Sequence, residues 1–402
     1  MSRRRFWSIR PDTTREATDA ILANFLLHWF PARMRVSSLA WTPSLWLGTV
    51  SGVLFLLLLV TGLPLMAFYI PSTKDAYHSI KDIEHVVSFG WWMRAAHRIA
   101  AHGMVIAVTL HLGRVFLTGS FRSAGDREQH REWNWVIGVG LLAGTILLSF
   151  TGYLLPWDQL AYWAVTVSVN IVASVPAIGH GIRELVLGGR EVGQPALMRF
   201  YLLHIVVLPI AVGVLFGYHM WRIRKDGGLA GPEPVDADAT GDGRTDVVNA
   251  IPNVVSRVVI VSLATWLVVT ALAIVIPSPL EEAANALVAP NPAKAPWYFL
   301  WLQEVVADTT VRLGPVSING AVLGGVLLPT VLLVLMTVWP WLDRTPRGVV
   351  GTWMPRVRRV QLVVFVAIAL FVVGLTVVGL WRGPSWHLYW PWQAWPDAPV
   401  RF

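Results

Sequence analysis

Seven mostly apolar stretches, near 44–68, 90–117, 134–155, 198–222, 256–277, 318–341 and 360–381, constrain this chain more than any other feature of it. Each has about the 20 residues that a helix needs to cross a bilayer. Lipid offers the backbone no hydrogen-bond partners, so a spanning segment must satisfy its own, and an α-helix does so within one segment. Composition agrees: 55% of the 402 residues are hydrophobic and 14% charged, too apolar a balance for a water-soluble chain of this size. The expectation is an all-α integral membrane protein with about seven transmembrane helices.

Charge placement orients the spans, because Lys and Arg gather on the cytoplasmic side. Arg3, Arg4, Arg5 and Arg10 precede the first span, Arg122, Arg127 and Arg131 lie between the second and third, and Arg222, Arg224 and Lys225 end the fourth. Arg344, Arg347, Arg356, Arg358 and Arg359 separate the sixth from the seventh, on the same side. The pattern predicts a cytoplasmic N-terminus and an outside C-terminus in the cell (cytoplasmic or inner) membrane. The net charge of +8 calls for no nucleic acid, since anionic lipid head groups account for it. Ser2-Arg3-Arg4-Arg5-Phe6 superficially matches a twin-arginine export signal, but the residues that follow are polar where an apolar stretch is required, so the segment reads as a basic tail.

Residues 227–246, rich in Gly, Asp and Pro, read as a flexible cytoplasmic linker. They divide the chain into a four-span half, 1–226, and a three-span half, 247–402. Between spans three and four, two amphipathic stretches flank Pro176, and NPAKAPWYFLWLQEVVAD before span six has the same character. Such segments lie in the interface plane and can roof a cavity.

Ionisable residues inside spans are costly and mark working sites. The chain has no cysteine, which excludes disulfides, iron–sulfur ligation and thioether-attached haem, and leaves histidine as the ligand for any metal or haem. On span two, His97 and His111 are 14 residues apart, about 21 Å along a helix and within about 40° of one direction. On span four, His204 and His219 are 15 apart, about 22 Å and a turn of about 60°, with Pro209 between them to kink the helix and adjust the match. Gly48 and Gly62 on span one, and Gly138 and Gly152 on span three, repeat the 14-residue interval, and glycine lets a neighbouring helix or a porphyrin face approach closely. A lone intramembrane histidine is commonly a hydrogen-bonded core residue. Two matched pairs, with two matched glycine pairs, describe instead a four-helix bundle around two non-covalent b-type haems, each held from both sides and closed to oxygen. His102 lies on the same helix but off the ligand face, and His28, His78, His85, His130, His180 and His387 fall in loops or tails.

The stretches GWWMRAAHRIAAHGMVIAVTLHLGRVFLTGSF (90–121), GYLLPWDQLAYWAV (152–165), SVPAIG (174–179), RFYLLHIVVLPI (199–210) and HMWRIRKDGGLAGP (219–232) resemble cytochrome b of the quinol-oxidising cytochrome bc complexes. The wider spacing on span four and the IRKDG run resemble the chloroplast type, and the second half resembles that type's separate three-span subunit, fused here into one chain. The resemblance implies an outer, low-potential haem on His97 and His204 and an inner, high-potential haem on His111 and His219. It implies a propionate partner in Arg94, with Arg114, Arg224 and Lys225 as inner candidates for propionates or quinone, and an outer quinol pocket that includes Tyr153, Pro296, Trp297 and Tyr298.

One departure bears on mechanism. Where the family carries Pro-Glu-Trp-Tyr, this chain has Ala295-Pro296-Trp297-Tyr298, and proline cannot take the proton that the glutamate accepts. Glu304, two turns along the same segment as Tyr298, could substitute, as could Asp158 or Glu281, although the plainer reading of Glu304 is a solvated loop carboxylate. The chloroplast type's extra covalent haem has no cysteine here, which leaves open a non-covalent one near the inner quinone site. The resemblance implies a subunit, inactive alone, of a homodimeric quinol:cytochrome c-type oxidoreductase with a Rieske iron–sulfur protein, a c-type cytochrome or other redox subunits as partners. The alternative is a dihaem wire that joins the quinone pool to a different redox module without dividing electrons. A transporter fits the apolar composition but not the matched spacings.

Overall fold

A computed structural model describes residues 33–122, 130–225, 247–313, 316–346, 351–390 and 392–393. The expected linker, 227–246, lies outside the described residues, as do the basic N-terminal tail and His28.

Seven helices long and apolar enough to cross a membrane fall where the apolar stretches predict them. They are α1 (Leu47–Phe68), α3 (Gly90–Thr118), α4 (Arg131–Tyr153), α7 (Gln194–Lys225), α8 (Ala250–Val275), α10 (Ala321–Leu342) and α11 (Arg359–Leu380). Between them lie shorter helices, α2 (Ala76–His85), α5 (Gln159–Ala173), α6 (Gly179–Leu187) and α9 (Trp297–Thr309). The two segments expected in the interface plane are thus helical, with Pro176 in the break between α5 and α6. Two three-residue antiparallel ladders pair Arg33–Arg35 with Val247–Asn249 and Val311–Leu313 with Val316–Ile318. Leu267, Val360 and Leu370 are about two-thirds exposed, a waste of apolar surface in water and the normal condition of a lipid-facing side chain.

The spans bundle with α1 on α3 and α4 on α7, while α8 lies across α1 and α3. One end, called upper here, carries α2, α5, α6 and α9; the other is lower. Two spans contain a π-helical stretch, Leu203–Val207 in α7 and Ala321–Leu327 in α10. In each, the last bond reaches back five residues, from Leu208 N–H to the Leu203 carbonyl and from Leu328 N–H to the Leu323 carbonyl. A proline follows at once, Pro209 and Pro329. Proline has no N–H and its ring crowds the carbonyl four residues back, so the turn before it widens to relieve the clash.

The two halves are joined at both ends. At the upper end, Arg94 Nη1 and Nη2 donate to the carbonyls of Ser278 and Pro279, both at 2.8 Å, and Gln159 N–H and Ala284 N–H bond the Glu282 and Trp157 carbonyls at 2.9 and 3.0 Å. At the lower end, Arg358 Nη1 pairs with Asp343 at 2.7 Å while its Nη2 donates to the Phe116 carbonyl at 2.8 Å. That guanidinium lies 2.9 Å from where a Cβ on Gly119 would stand, and Gly119 ends α3 at φ +64°, so both space and backbone require glycine there.

Candidate haem-binding site

Four helices supply two layers of side chains. In the upper layer, His97 from α3 faces His204 from α7, with ring centroids 6.2 Å apart; in the lower, His111 faces His219 at 6.5 Å. A metal–imidazole bond is about 2.0–2.1 Å, and two of them plus the half-width of each ring sum to roughly 6 Å. Both gaps therefore fit one iron between two imidazoles.

The wider spacing on α7 coincides with a π-helical stretch just ahead of Pro209. Fifteen residues separate His204 from His219, against fourteen on α3, and the surplus residue is absorbed by the π-helical stretch that contains His204 itself. Pro209 stands two residues beyond the end of that stretch.

The paired glycines abut the imidazoles. A Cβ on Gly48 would lie 3.2 Å from His111 Cε1, on Gly62 3.1 Å from His97 Cε1, on Gly138 3.8 Å from His219 Cε1 and on Gly152 2.5 Å from His204 Cε1. Glycine thus admits each ring to its place between helices, most stringently at Gly152.

The layers differ in what holds the second ring nitrogen. Thr61 Oγ donates to the Leu57 carbonyl at 2.7 Å and therefore accepts from His97 Nδ1–H at 2.9 Å. His204 Nδ1–H donates to the Leu148 carbonyl at 3.1 Å, with Thr151 Oγ at 3.3 Å. Both bonds place the hydrogen on Nδ1 and leave the Nε2 lone pair for metal. In the lower layer, Nδ1 of His111 is buried without a hydrogen-bond partner, and Nδ1 of His219 makes no close hydrogen bond and only approaches the Asn134 backbone. Thr61 and Thr151 were not anticipated, although each stands directly before a layer glycine, in Thr61-Gly62 and Thr151-Gly152.

Arg94 is buried as expected, but an ion pair with Glu84 and the two carbonyls of 278–279 take three of its five donors. Arg224 and Lys225 close α7 at the lower end, with Lys225 Nζ 4.8 Å from the centre of the Trp221 ring.

Beside the upper layer, on another face of α3, α9 brings Trp297 and Tyr298 onto that helix. Trp297 Nε1 donates to His102 Nδ1 at 3.0 Å, and the Tyr298 ring centre is 6.1 Å from that of His102. Burial pushes the Tyr298 phenol up to about 12, against the opposing bond with Ser149 and the charge of Arg98, so it keeps its proton. Arg98, absent from the sequence candidates, lies within electrostatic reach of Tyr153, Tyr298 and Asp158. Burial raises the Asp158 carboxyl, although backbone N–H groups of Ala161 and Glu281 and the charges of Arg94 and Arg98 oppose it. Asp158 also caps α5, accepting from Ala161 N–H at 2.9 Å. Pro296 caps α9, its carbonyl accepting from Phe299 N–H at 2.8 Å, and it has no side-chain group to take a proton. Glu304 is fully buried and engaged: Arg382 Nε contacts both of its oxygens at 3.1 Å and Nη2 donates at 2.8 Å. This geometry makes Glu304 an anchor between α9 and the end of α11, not an open proton acceptor.

Buried histidine pairs facing each other at two depths of an all-helical membrane bundle define a membrane haem protein. The comparisons name the kind. The family description Cytochrome b(N-terminal)/b6/petB matches residues 102–283, and Cytochrome b(C-terminal)/b6/petD matches 283–387. Cytochrome b6 of Prochlorococcus marinus (strain MIT 9515) is 42% identical over 186 residues, 46% of this chain and 82% of that one. Cytochrome b6 of Synechococcus elongatus is 37% identical over 220 residues, 52% and 99% of the two chains. Among solved structures, a chain described as Hyperthermophilic respiratory Complex III matches with a TM-score of 0.68 and 26% identity, over 83% of this chain and 82% of that chain. The chain belongs to the cytochrome b/b6 family. It is a multi-pass membrane cytochrome b, a subunit of a quinol oxidoreductase complex with b-type haem as its cofactor.

Proposed function

We propose that the chain carries two b-type haems, one on His97 and His204 and one on His111 and His219, and passes electrons across the bilayer between an outer quinol-oxidation site and an inner quinone-reduction site, with proton translocation. The observation that carries this reading is the pair of facing imidazoles at each of two depths, 6.2 and 6.5 Å between ring centres. Bound there, haem supplies one-electron transfer, and six-coordinate iron binds no oxygen.

In this reading the upper end faces outward, the N-terminus is cytoplasmic and the C-terminus outside. Glycines admit the rings, Thr61 and the Leu148 carbonyl fix the upper tautomers, and the halves 1–226 and 247–402 meet to form the outer pocket at Tyr153, Arg98, Trp297 and Tyr298. With Pro296 in place of the motif glutamate and Glu304 held by Arg382, neither accepts a quinol proton. Arg224 and Lys225 supply positive charge at the inner quinone site. No cysteine is present to hold a high-potential acceptor, so a Rieske protein and a c-type cytochrome are the expected partners in a homodimeric complex.

The test is to purify the complex through this chain, identify the co-purifying subunits by their cofactors, and assay quinol oxidation with and without outer-site inhibitors. An iron–sulfur centre and inhibitor-sensitive quinol oxidation support the reading. Their absence, with the haems retained, supports the second reading that Pro296 motivates, a dihaem wire to a different redox module.

A further inference from the structure

The mechanism above leaves one intramembrane histidine unused. His102 sits five residues beyond His97 on α3, turned by about 140° from the ligand face at 100° per residue. It meets two consecutive residues of α9 from the other half of the chain, with the Trp297 and Tyr298 ring centres 6.3 and 6.1 Å away. These directly follow Pro296, which has no side-chain acceptor.

The bond from Trp297 decides the chemistry of the imidazole. An indole N–H can only donate, so His102 Nδ1, 3.0 Å from Trp297 Nε1, must be the acceptor and carries no hydrogen. The neutral ring then holds its hydrogen on Nε2. Among the described residues His102 makes no other hydrogen bond. The ring is fixed in place and in tautomer, with one donor left over, beside the protonated phenol of Tyr298.

We propose that His102 is a quinone-binding residue of the upper pocket, its Nε2–H donating to an oxygen of the quinol and of the quinone formed from it, with Trp297 setting the tautomer. The inference rests on the reading of that pocket as the outer quinol site. Because a quinol hydroxyl and a quinone carbonyl both accept, the bond holds substrate through oxidation and contributes to binding more than to turnover. It also assigns His102 a role different from that of a carboxylate: it holds the substrate oxygen and takes no proton from it.

The test uses the purified complex and a soluble short-tail quinol, with haem absorbance as the check on folding. His102→Leu removes the donor and is expected to raise KM about tenfold, with kcat within about twofold, the size of one lost hydrogen bond in a buried site. His102→Asn, whose amide accepts from Trp297 and still donates, is expected to restore KM to within about threefold of the native value. Tyr298→Phe is the control for the pocket itself. If it slows quinol oxidation while both His102 variants keep the native KM, the role of His102 is overturned and the pocket stands. If neither position alters quinol oxidation, the pocket reading falls and the inference with it. If Leu and Asn alike lower kcat and haem absorbance, His102 is a packing residue and the proposal is overturned.

Discussion

The upper and lower histidine layers share a geometry and differ in their support. Each pairs one imidazole from α3 with one from α7 at nearly equal separation, but both upper Nδ1 atoms make close hydrogen bonds, whereas His111 Nδ1 makes none and His219 Nδ1 only approaches the Asn134 backbone. An Nδ1–H that donates to an oxygen raises the basicity of Nε2, and a more basic ligand favours the more positive, oxidised metal. In the dihaem reading proposed above, two threonines and a carbonyl make two chemically similar sites unequal, and the upper layer is the one that should hold its electron less tightly.

Several changes would break or sharpen this comparison. The largest effect is expected from His97→Leu, which removes one ligand: the reduced-minus-oxidised b-type absorbance should fall to about half, with the surviving haem that of the lower layer. Gly152→Ala comes next, because its Cβ would stand 2.5 Å from His204 Cε1, and upper haem affinity should fall by on the order of 10–100-fold, read by haem content per chain. Gly138→Ala, at an ordinary 3.8 Å, is the matched lower-layer change and should leave haem content unaltered. Thr61→Val removes the acceptor of the His97 Nδ1–H and should raise the upper midpoint by roughly 30–60 mV, since a tenfold change in a one-electron equilibrium is 59 mV. Smallest is Ile137→Thr, which sets a hydroxyl directly before Gly138 as Thr61 stands before Gly62. A new acceptor for His219 should lower the other midpoint by on the order of 10–30 mV in the same titration.

Much of this was legible in the residues. The spans follow from apolar length because a bilayer leaves a backbone little choice, and the ligand pairs follow from helical periodicity because fourteen residues nearly close a whole number of turns. The fifteen-residue interval was harder. Pro209 signalled a disturbance, but whether a helix answers a proline by bending or by widening a turn is settled by its neighbours. Thr61 and Thr151 were hidden because threonine in a membrane helix commonly bonds the carbonyl four residues back, as both do here, and the second bond to histidine depends on which helix lies opposite.

Contacts across the chain were least accessible. Arg94 finds two carbonyls 184 and 185 residues away, and Glu304 finds Arg382 beyond two intervening spans. Glu304 is therefore a buried ion-pair partner, whereas His102, off the ligand face, meets Trp297 and Tyr298 by that same displacement.

The most direct measurement is a potentiometric titration of b-type absorbance in the purified complex, combined with haem content per chain. Two haems per chain, titrating as two one-electron steps of equal amplitude at separate midpoints, is the result predicted for two unequal layers. A single haem per chain, or two that titrate together as one step, would contradict it.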